Sequence, residues 1–254
     1  MKYVIANLKM NVMTSQESDT YLSSLTALLH KKKRDGVSVI LCPSTLFLER
    51  FTSKLPDGMF LGSQNTFWED KGSYTGEVSP VSLKNSGVKY VLCGHSERRQ
   101  YCGETNDIIA KKVDATLRND MKAIICIGET QEEHANDETS QVLIEQLSSA
   151  LADVQKEQLQ NIIIAYEPRW AIGTGLTPSA QDILQVRIMI QKIIIKQFDT
   201  ESMQKVAIVY GGSVQAENTK EVCLDADMGG VLVGKESLNA QSFMSIVDVL
   251  DIET

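Results

Sequence analysis

Apolar residues gather in eight short runs: Tyr3–Ala6, Val37–Cys42, Met59–Leu61, Tyr90–Cys93, Ala123–Ile127, Ile162–Tyr166, Val206–Tyr210 and Gly230–Val233. Most are continuous and β-branched, not alternating, which predicts parallel strands buried on both faces. Amphipathic stretches lie between them, among them Ser18–Lys32, Asp107–Arg118, Thr139–Gln155 and Ser179–Gln197. In the last, Ile183, Val186, Ile190, Ile193 and Ile194 recur at helical spacing, so one face of a helix is buried.

Eight strand–helix units in 254 residues leave about 32 residues each, the size of a βα repeat. That arithmetic predicts an α/β fold, a single (β/α)8 TIM barrel, with a doubly wound open sheet as the alternative. No Pro/Gly-rich linker divides the chain, so residues 1–254 read as one domain.

Composition narrows the function. A 43% hydrophobic content excludes disorder, and no window approaches 18 consecutive apolar residues, so no helical membrane span is expected. The apolar run near the N-terminus, broken by Asn7 and Lys9, is too short for a signal-peptide core. Five cysteines without a C-x-x-C pair argue for packed thiols in a reducing cytoplasm. A net charge of −8 argues against nucleic-acid or anionic-membrane partners. Any anionic ligand must therefore be held by donors concentrated locally.

In a barrel of this kind the chemistry sits in loops after the strands' C-terminal ends. Those positions hold Asn7-Leu8-Lys9, Gln64-Asn65, Gly94-His95-Ser96, Gly128-Glu129, Glu167-Pro168, Gly211-Gly212-Ser213 and Gly234-Lys235. A lysine, a histidine and a glutamate are the types needed for charge stabilisation and proton transfer. The glycine-bearing turns offer backbone N–H groups that can cradle a phosphate.

Eight motifs in order, ANLKMN (6–11), GSQN (62–65), GSYTGE (72–77), GHSERR (94–99), CIGET (126–130), AYEPRWAIGTG (165–175), YGGSV (210–214) and LVGKESL (232–238), resemble the triosephosphate isomerase family. The resemblance spans residues 3 to 250. It implies interconversion of dihydroxyacetone phosphate and glyceraldehyde 3-phosphate through an enediolate, in glycolysis and gluconeogenesis, with no cofactor and no metal. It implies that Glu167 is the base and His95 a neutral electrophile, roles for which this family is itself the standard worked case. It further implies that Lys9 and Asn7 bind substrate, that Glu97 is a carboxylate near the lysine, and that Gly173, Ser213, Gly234 and Lys235 hold the phosphate. Pro168, Trp170, Ala171, Ile172, Gly173, Thr174 and Gly175 correspond to a closing lid.

Elementary chemistry agrees with these assignments. Removing a proton beside a carbonyl places charge on oxygen, where one preorganised donor is worth about 3 kcal/mol in other enzymes. Two competing functions remain open at this level. A Schiff-base aldolase on the same fold would use Lys9 and leave His95 and Glu167 without roles. A non-catalytic barrel would be expected to lose one of the three, and all are present. Of the other histidines, His30 reads as the end of the first helix and His134 as a solvated surface residue. Lys31 to Arg34 reads as a solvated helix end. Leu8, Arg169, the short Leu176–Pro178 segment and Lys235 depart from the family's common residues, and Lys235 stands where a glycine is usual.

The segment 64–79 carries Phe67, Trp68 and Tyr74 on about 16 residues, long for a structureless loop. Three exposed aromatics on a loop are unusual for a monomer. GSYTGE, with Tyr74 and Thr75, resembles the family loop that inserts into a neighbouring subunit, which implies a two-fold homodimer. A self-packed Ω-loop is the alternative.

Overall fold

The computed structural model describes residues 1–30, 34–172 and 177–251. Eight strands, β1 (Lys2–Asn7), β2 (Val37–Cys42), β3 (Met59–Ser63), β4 (Tyr90–Cys93), β5 (Lys122–Ile127), β6 (Ile162–Tyr166), β7 (Ala207–Tyr210) and β8 (Gly230–Val233), close in sequence order. All neighbours are parallel, and β1 closes on β8 through Ala6 opposite Val233. The fold is a (β/α)8 barrel, not an open sheet.

Continuous apolar runs are explained by burial on both faces. Ile5, Ile40, Leu92, Ile124, Ile163, Val209 and Leu232 point inward and form the barrel interior. Their neighbours Val4, Leu41, Val91, Ile125, Ile164, Ile208 and Val231 point outward into the layer shared with the helices. The two sets alternate with the two-residue period of a strand. The helices are α1 (Ser15–Leu29), α2 (Leu48–Lys54), α3 (Pro80–Asn85), α4 (Ser96–Tyr101), α5 (Asn106–Arg118), α6 (Gln131–Ala135), α7 (Thr139–Ala150), α8 (Ala180–Gln197), α9 (Thr200–Met203) and α10 (Ala240–Leu250). On α8, Ile183, Val186, Ile190 and Ile194 are buried while Ile193 is only partly covered. Each fully buried branched side chain contributes about 1.5–3 kcal/mol.

Two helix boundaries differ from the periodicity. The first helix begins at Ser15 because Thr14 accepts from the Glu17 amide and Glu17 reaches back to the Thr14 amide. That reciprocal cap satisfies donors upstream of the first apolar residue. The stretch expected to be helical to Gln155 stops at Ala150, and a separate tight turn, Lys156–Asn161, follows. Leaving the helix there lets Leu151, Val154 and Leu159 all reach the core. Lys31–Lys33 lie outside the described residues, whereas Arg34 pairs with Asp248 on α10 at 2.8 Å.

The register sets the strand ends level with one another. Asn7 pairs with Cys42, and Tyr166 with Ile127 and Tyr210. Asn7 is thus the last residue of β1, while Glu167 and Gly211 directly follow β6 and β7. Among the described residues no helix is long and apolar enough to cross a membrane.

Candidate active site

At the strands' C-terminal ends a cavity of about 400 Å³ brings together Asn7, Lys9, His95, Glu167, Ser213 and Lys235. Residues far apart in sequence therefore share one opening of the size small-molecule sites occupy.

Glu167 enters this cavity because two glycines give it room. A side chain at Gly128 would lie 1.9 Å from the Glu167 carbonyl oxygen, and one at Gly211 would lie 2.9 Å from Glu167 Cγ. The carboxylate is 2% exposed. Its Oε2 accepts the Ser96 amide at 3.0 Å, and its Oε1 lies 3.3 Å from His95 Nε2. The segment is a loop, as its proline and glycines imply. Its carboxylate nonetheless rests on the first amide of α4.

His95 precedes α4 and its Nδ1 accepts the Glu97 amide at 3.3 Å. A backbone amide can only donate, so Nδ1 carries no proton and the ring's single proton sits on Nε2. The imidazole is thus neutral and presents an N–H donor toward Glu167 and the cavity.

Lys9 has a left-handed backbone, φ 50°. For a residue other than glycine this costs about 1–3 kcal/mol and persists only where neighbours over-determine it. Here the Lys9 amide donates to Asn7 Oδ1 at 3.1 Å, while Gln64 Nε2 donates to the carbonyls of Lys9 and Cys42, both at 2.9 Å. The stem passes over Gly234, and Nζ donates to Glu97 Oε1 at 2.6 Å. Buried Asn7 and Gln64 together aim the ammonium into the cavity.

The electrostatics behind the site are fixed by burial. Arg99 donates to the carbonyls of Gly94 and Cys126 and to Asn106 Oδ1. Burial lowers its guanidinium from the ordinary value, opposed by Cys126 and by Glu167. Burial first, and the Glu167 charge second, raise the Cys126 thiol well above its usual range. Cys126 is a packed thiol, not a nucleophile.

The opposite end of the cavity is built differently. Ser213 Oγ donates to the Ala171 carbonyl at 2.8 Å. Gly234 and Lys235 begin the single tight turn Lys235–Leu238. Among the described residues no carboxylate forms an ion pair with Lys235. Pro168 leads into the turn Arg169–Ala171, and Trp170 Nε1 donates to Glu129 Oε1 at 2.9 Å. Ala171 is buried and Ile172 lines the cavity. The expected lid and phosphate residues Gly173, Thr174 and Gly175 lie outside the described residues, as does Leu176.

Four supporting residues had no assigned role in the sequence reading. Gln64 clamps Lys9, and Gln146 holds Gly128 through both its amide and its carbonyl. The Ser96 amide holds Glu167, and buried Glu129 holds Trp170. Only a polar residue at the end of an apolar run, as with Gln64, hinted at such a task. His134 is not simply solvated, because its ring stacks on Trp170. Nor are three aromatics exposed on residues 64–79. Phe67 is buried and stacks on Trp68 at 4.0 Å, and Tyr74 leans on Phe67 at 4.6 Å.

Comparison with known proteins agrees with this geometry. The family model described as triosephosphate isomerase matches residues 2–250. A triosephosphate isomerase of Dictyoglomus turgidum is 41% identical over 97% of this chain and 98% of its own length. Those of Dictyoglomus thermophilum and Alkaliphilus oremlandii are 40% and 38% identical, over 97% and 96% of this chain and 98% of each relative. With the whole barrel covered and a lysine, a neutral histidine and a buried glutamate converging at its catalytic end, the chain belongs to the triosephosphate isomerase family.

Proposed function

We infer that this protein interconverts dihydroxyacetone phosphate and D-glyceraldehyde 3-phosphate by proton transfer through an enediolate. The observation that carries the reading is the buried Glu167 carboxylate 3.3 Å from the Nε2 of a histidine whose other nitrogen is occupied as an acceptor. Glu167 takes the proton from the carbon beside the carbonyl and returns it to the neighbouring carbon. His95 Nε2–H faces the two oxygens and moves the hydroxyl proton between them. Lys9, with Asn7 behind it, offsets the charge that develops on oxygen. Glu97 orients Lys9 through their 2.6 Å contact and yields it to the substrate.

One contact describes a resting arrangement: Glu167 Oε2 is occupied by the Ser96 amide, so the carboxylate must leave that amide to turn toward a substrate. A lid formed by residues 168–175 would exclude water from the base. Ser213, Gly173, Gly234 and Lys235 hold the phosphate through N–H groups, and the Lys235 ammonium, without a carboxylate partner among the described residues, adds a local cation in an acidic protein. No step needs a cofactor.

The same reading makes the protein a homodimer through residues 64–79. Residues 69–77 are all exposed, and Arg118 braces the base of the loop through the Trp68 carbonyl and Asp70. Met10 is 80% exposed, Leu46 91% and Tyr101 75%, in the segments that follow β1, β2 and β4. Exposed large apolar side chains on these segments support a contact surface. Five free thiols, four of them buried, support a cytoplasmic location.

A coupled assay with purified protein tests the activity. Turnover of both triose phosphates supports it, and none at micromolar enzyme overturns it. Light scattering tests assembly: a dimer is expected, and Tyr74→Glu should lower mass and activity together.

A further inference from the structure

Helix α6 is held by its own capping box, in which Thr130 and Glu133 exchange hydrogen bonds. This places His134 over Trp170, with ring centroids 4.6 Å apart and planes 20° from parallel. His134 Nδ1 lies 3.6 Å from Glu129 Oε1. Glu129 is wholly buried, and its Oε1 already accepts the Tyr166 hydroxyl and Trp170 Nε1. Its Oε2 has no hydrogen-bond partner among the described residues. Among those residues, His134 is the only side chain within ion-pair distance of Glu129 that can bring a positive charge.

We propose that His134 is a positioning residue that clamps Trp170 against Glu129, and that protonation of His134 tightens the clamp. The consequence for turnover rests on residues 168–175 being the lid. A neutral imidazole offers Glu129 at most one donor, and only in one tautomer. The imidazolium donates from both nitrogens and presents a cation to the indole face. Both changes favour the Trp170 position seen here, at the leading end of the lid. A buried carboxylate short of partners gains most from such a charge-assisted bond.

The charged groups around the ring come from every neighbouring element. Glu129 faces it from the loop after β5, with the Tyr166 phenol behind. Arg169 adjoins Trp170 but couples to Arg99 on the barrel side. Glu132 and Glu133 share its helix, with the Glu133 carboxylate taken by the Thr130 amide. Asp137 and Glu138 link to α7. Apart from Arg169 these are acidic, so the proton on His134 is the mobile charge of the cluster.

The chain has two tryptophans, so Trp68→Phe leaves Trp170 as the single indole reporter. Its emission should fall between pH 7.5 and pH 5.5, because a stacked imidazolium quenches indole. Adding His134→Gln should abolish that transition. In the intact dimer-competent protein, kcat should fall about two- to five-fold more between pH 7.5 and 5.5 for wild type than for His134→Gln. An emission transition that survives in His134→Gln overturns the clamp. A transition lost in His134→Gln while the two kcat profiles coincide overturns its coupling to turnover. Failure of the isomerase reading would be distinct, since wild type would then have no kcat while the emission titration could still be read.

Discussion

The two ends of the cavity are built on opposite plans. At the reaction end each side chain is held by hydrogen bonds, some local and some from other units: Glu167 by Ser96, His95 by the Glu97 amide, and Lys9 by Asn7, Gln64 and Glu97. At the end proposed to hold the phosphate, Ser213 and Gly234 lie in glycine-bearing turns beside Lys235, which has no carboxylate partner among the described residues. Proton transfer needs atoms placed within a fraction of an ångström, so orientation is settled before substrate arrives. A phosphate is a symmetric dianion that accepts from many directions, so an open rim of N–H groups and one mobile cation suffices. Mutations at the first end should therefore act on kcat, and those at the second on affinity.

The sharpest break in that contrast is Lys9→Met, which keeps the stem over Gly234 and removes the charge. We expect kcat to fall about 10²–10³-fold, the loss typical of removing one donor to a developing oxyanion. Affinity for a neutral portion of the ligand should hardly move. A kcat within a few-fold of wild type would mean that Lys9 is not aimed at the reacting oxygen.

Gln64→Leu asks whether the left-handed Lys9 backbone depends on its clamp. Two part-buried carbonyls, of Lys9 and Cys42, would lose their donor at about 1–3 kcal/mol. For a chain of 254 residues this corresponds to a Tm lower by roughly 2–10 °C. Activity should fall with it, because Lys9 loses its orientation. Calorimetry beside steady-state kinetics would show a fall in Tm without loss of kcat if the clamp were only structural.

Acid should weaken the scaffold under the reaction end. Burial alone would raise the Glu104 carboxyl, but the hydrogen bond and charge of buried Lys112, then those of Arg98, hold it below the ordinary 4.5. The unfolded chain therefore takes up this proton more readily than the folded one. The contribution is present above about pH 4.5 and is lost as pH falls toward the depressed folded value. Thermal melts across pH 3 to 7 should show a steeper acid decline for wild type than for Glu104→Gln, whose plateau starts lower. Parallel curves would remove Glu104 from the acid response.

The smallest effect belongs to Lys235→Gly. Affinity for a phosphate analogue should weaken about two- to five-fold, the range of an exposed ion pair, and its salt dependence should flatten. Unchanged affinity and salt slope would place the Lys235 side chain in solvent.

Sequence patterns revealed the barrel well because burial on both faces leaves apolar runs that local reading detects. All eight runs became strands, with Lys2, Asn7, Gly62, Ser63 and Lys122 added at their ends and Val206 left outside β7. The start of α1 was obscured because its signal is a polar pair, Thr14 and Glu17, and not an apolar stripe. The side chains expected to act were legible as motifs; the cavity lining includes Asn7, Lys9, His95, Glu167, Ser213, Gly234 and Lys235, while Glu97 stands behind Lys9 and does not line it. What holds them was not legible. Gln64 on Lys9 is a contact across 55 residues and Ser96 on Glu167 one across 71, and neither leaves a local pattern. Phe67 looked exposed because its cover, Trp68 and Tyr74, comes from the loop's own fold. His134 looked solvated because Trp170 and Glu129 approach it from other units.

The most direct measurement follows the proton itself. Dihydroxyacetone phosphate converted in deuterium oxide by wild type, with product trapped as formed, can be read by proton NMR at the carbon next to the new aldehyde. Exchange of the Glu167 carboxyl with solvent should place deuterium there, and Glu167→Gln should cut turnover about 10²–10⁴-fold while phosphate-analogue affinity stays within a few-fold. A Glu167→Gln enzyme with near-normal kcat, or one that loses phosphate-analogue affinity in step with kcat, would contradict carboxylate-mediated transfer.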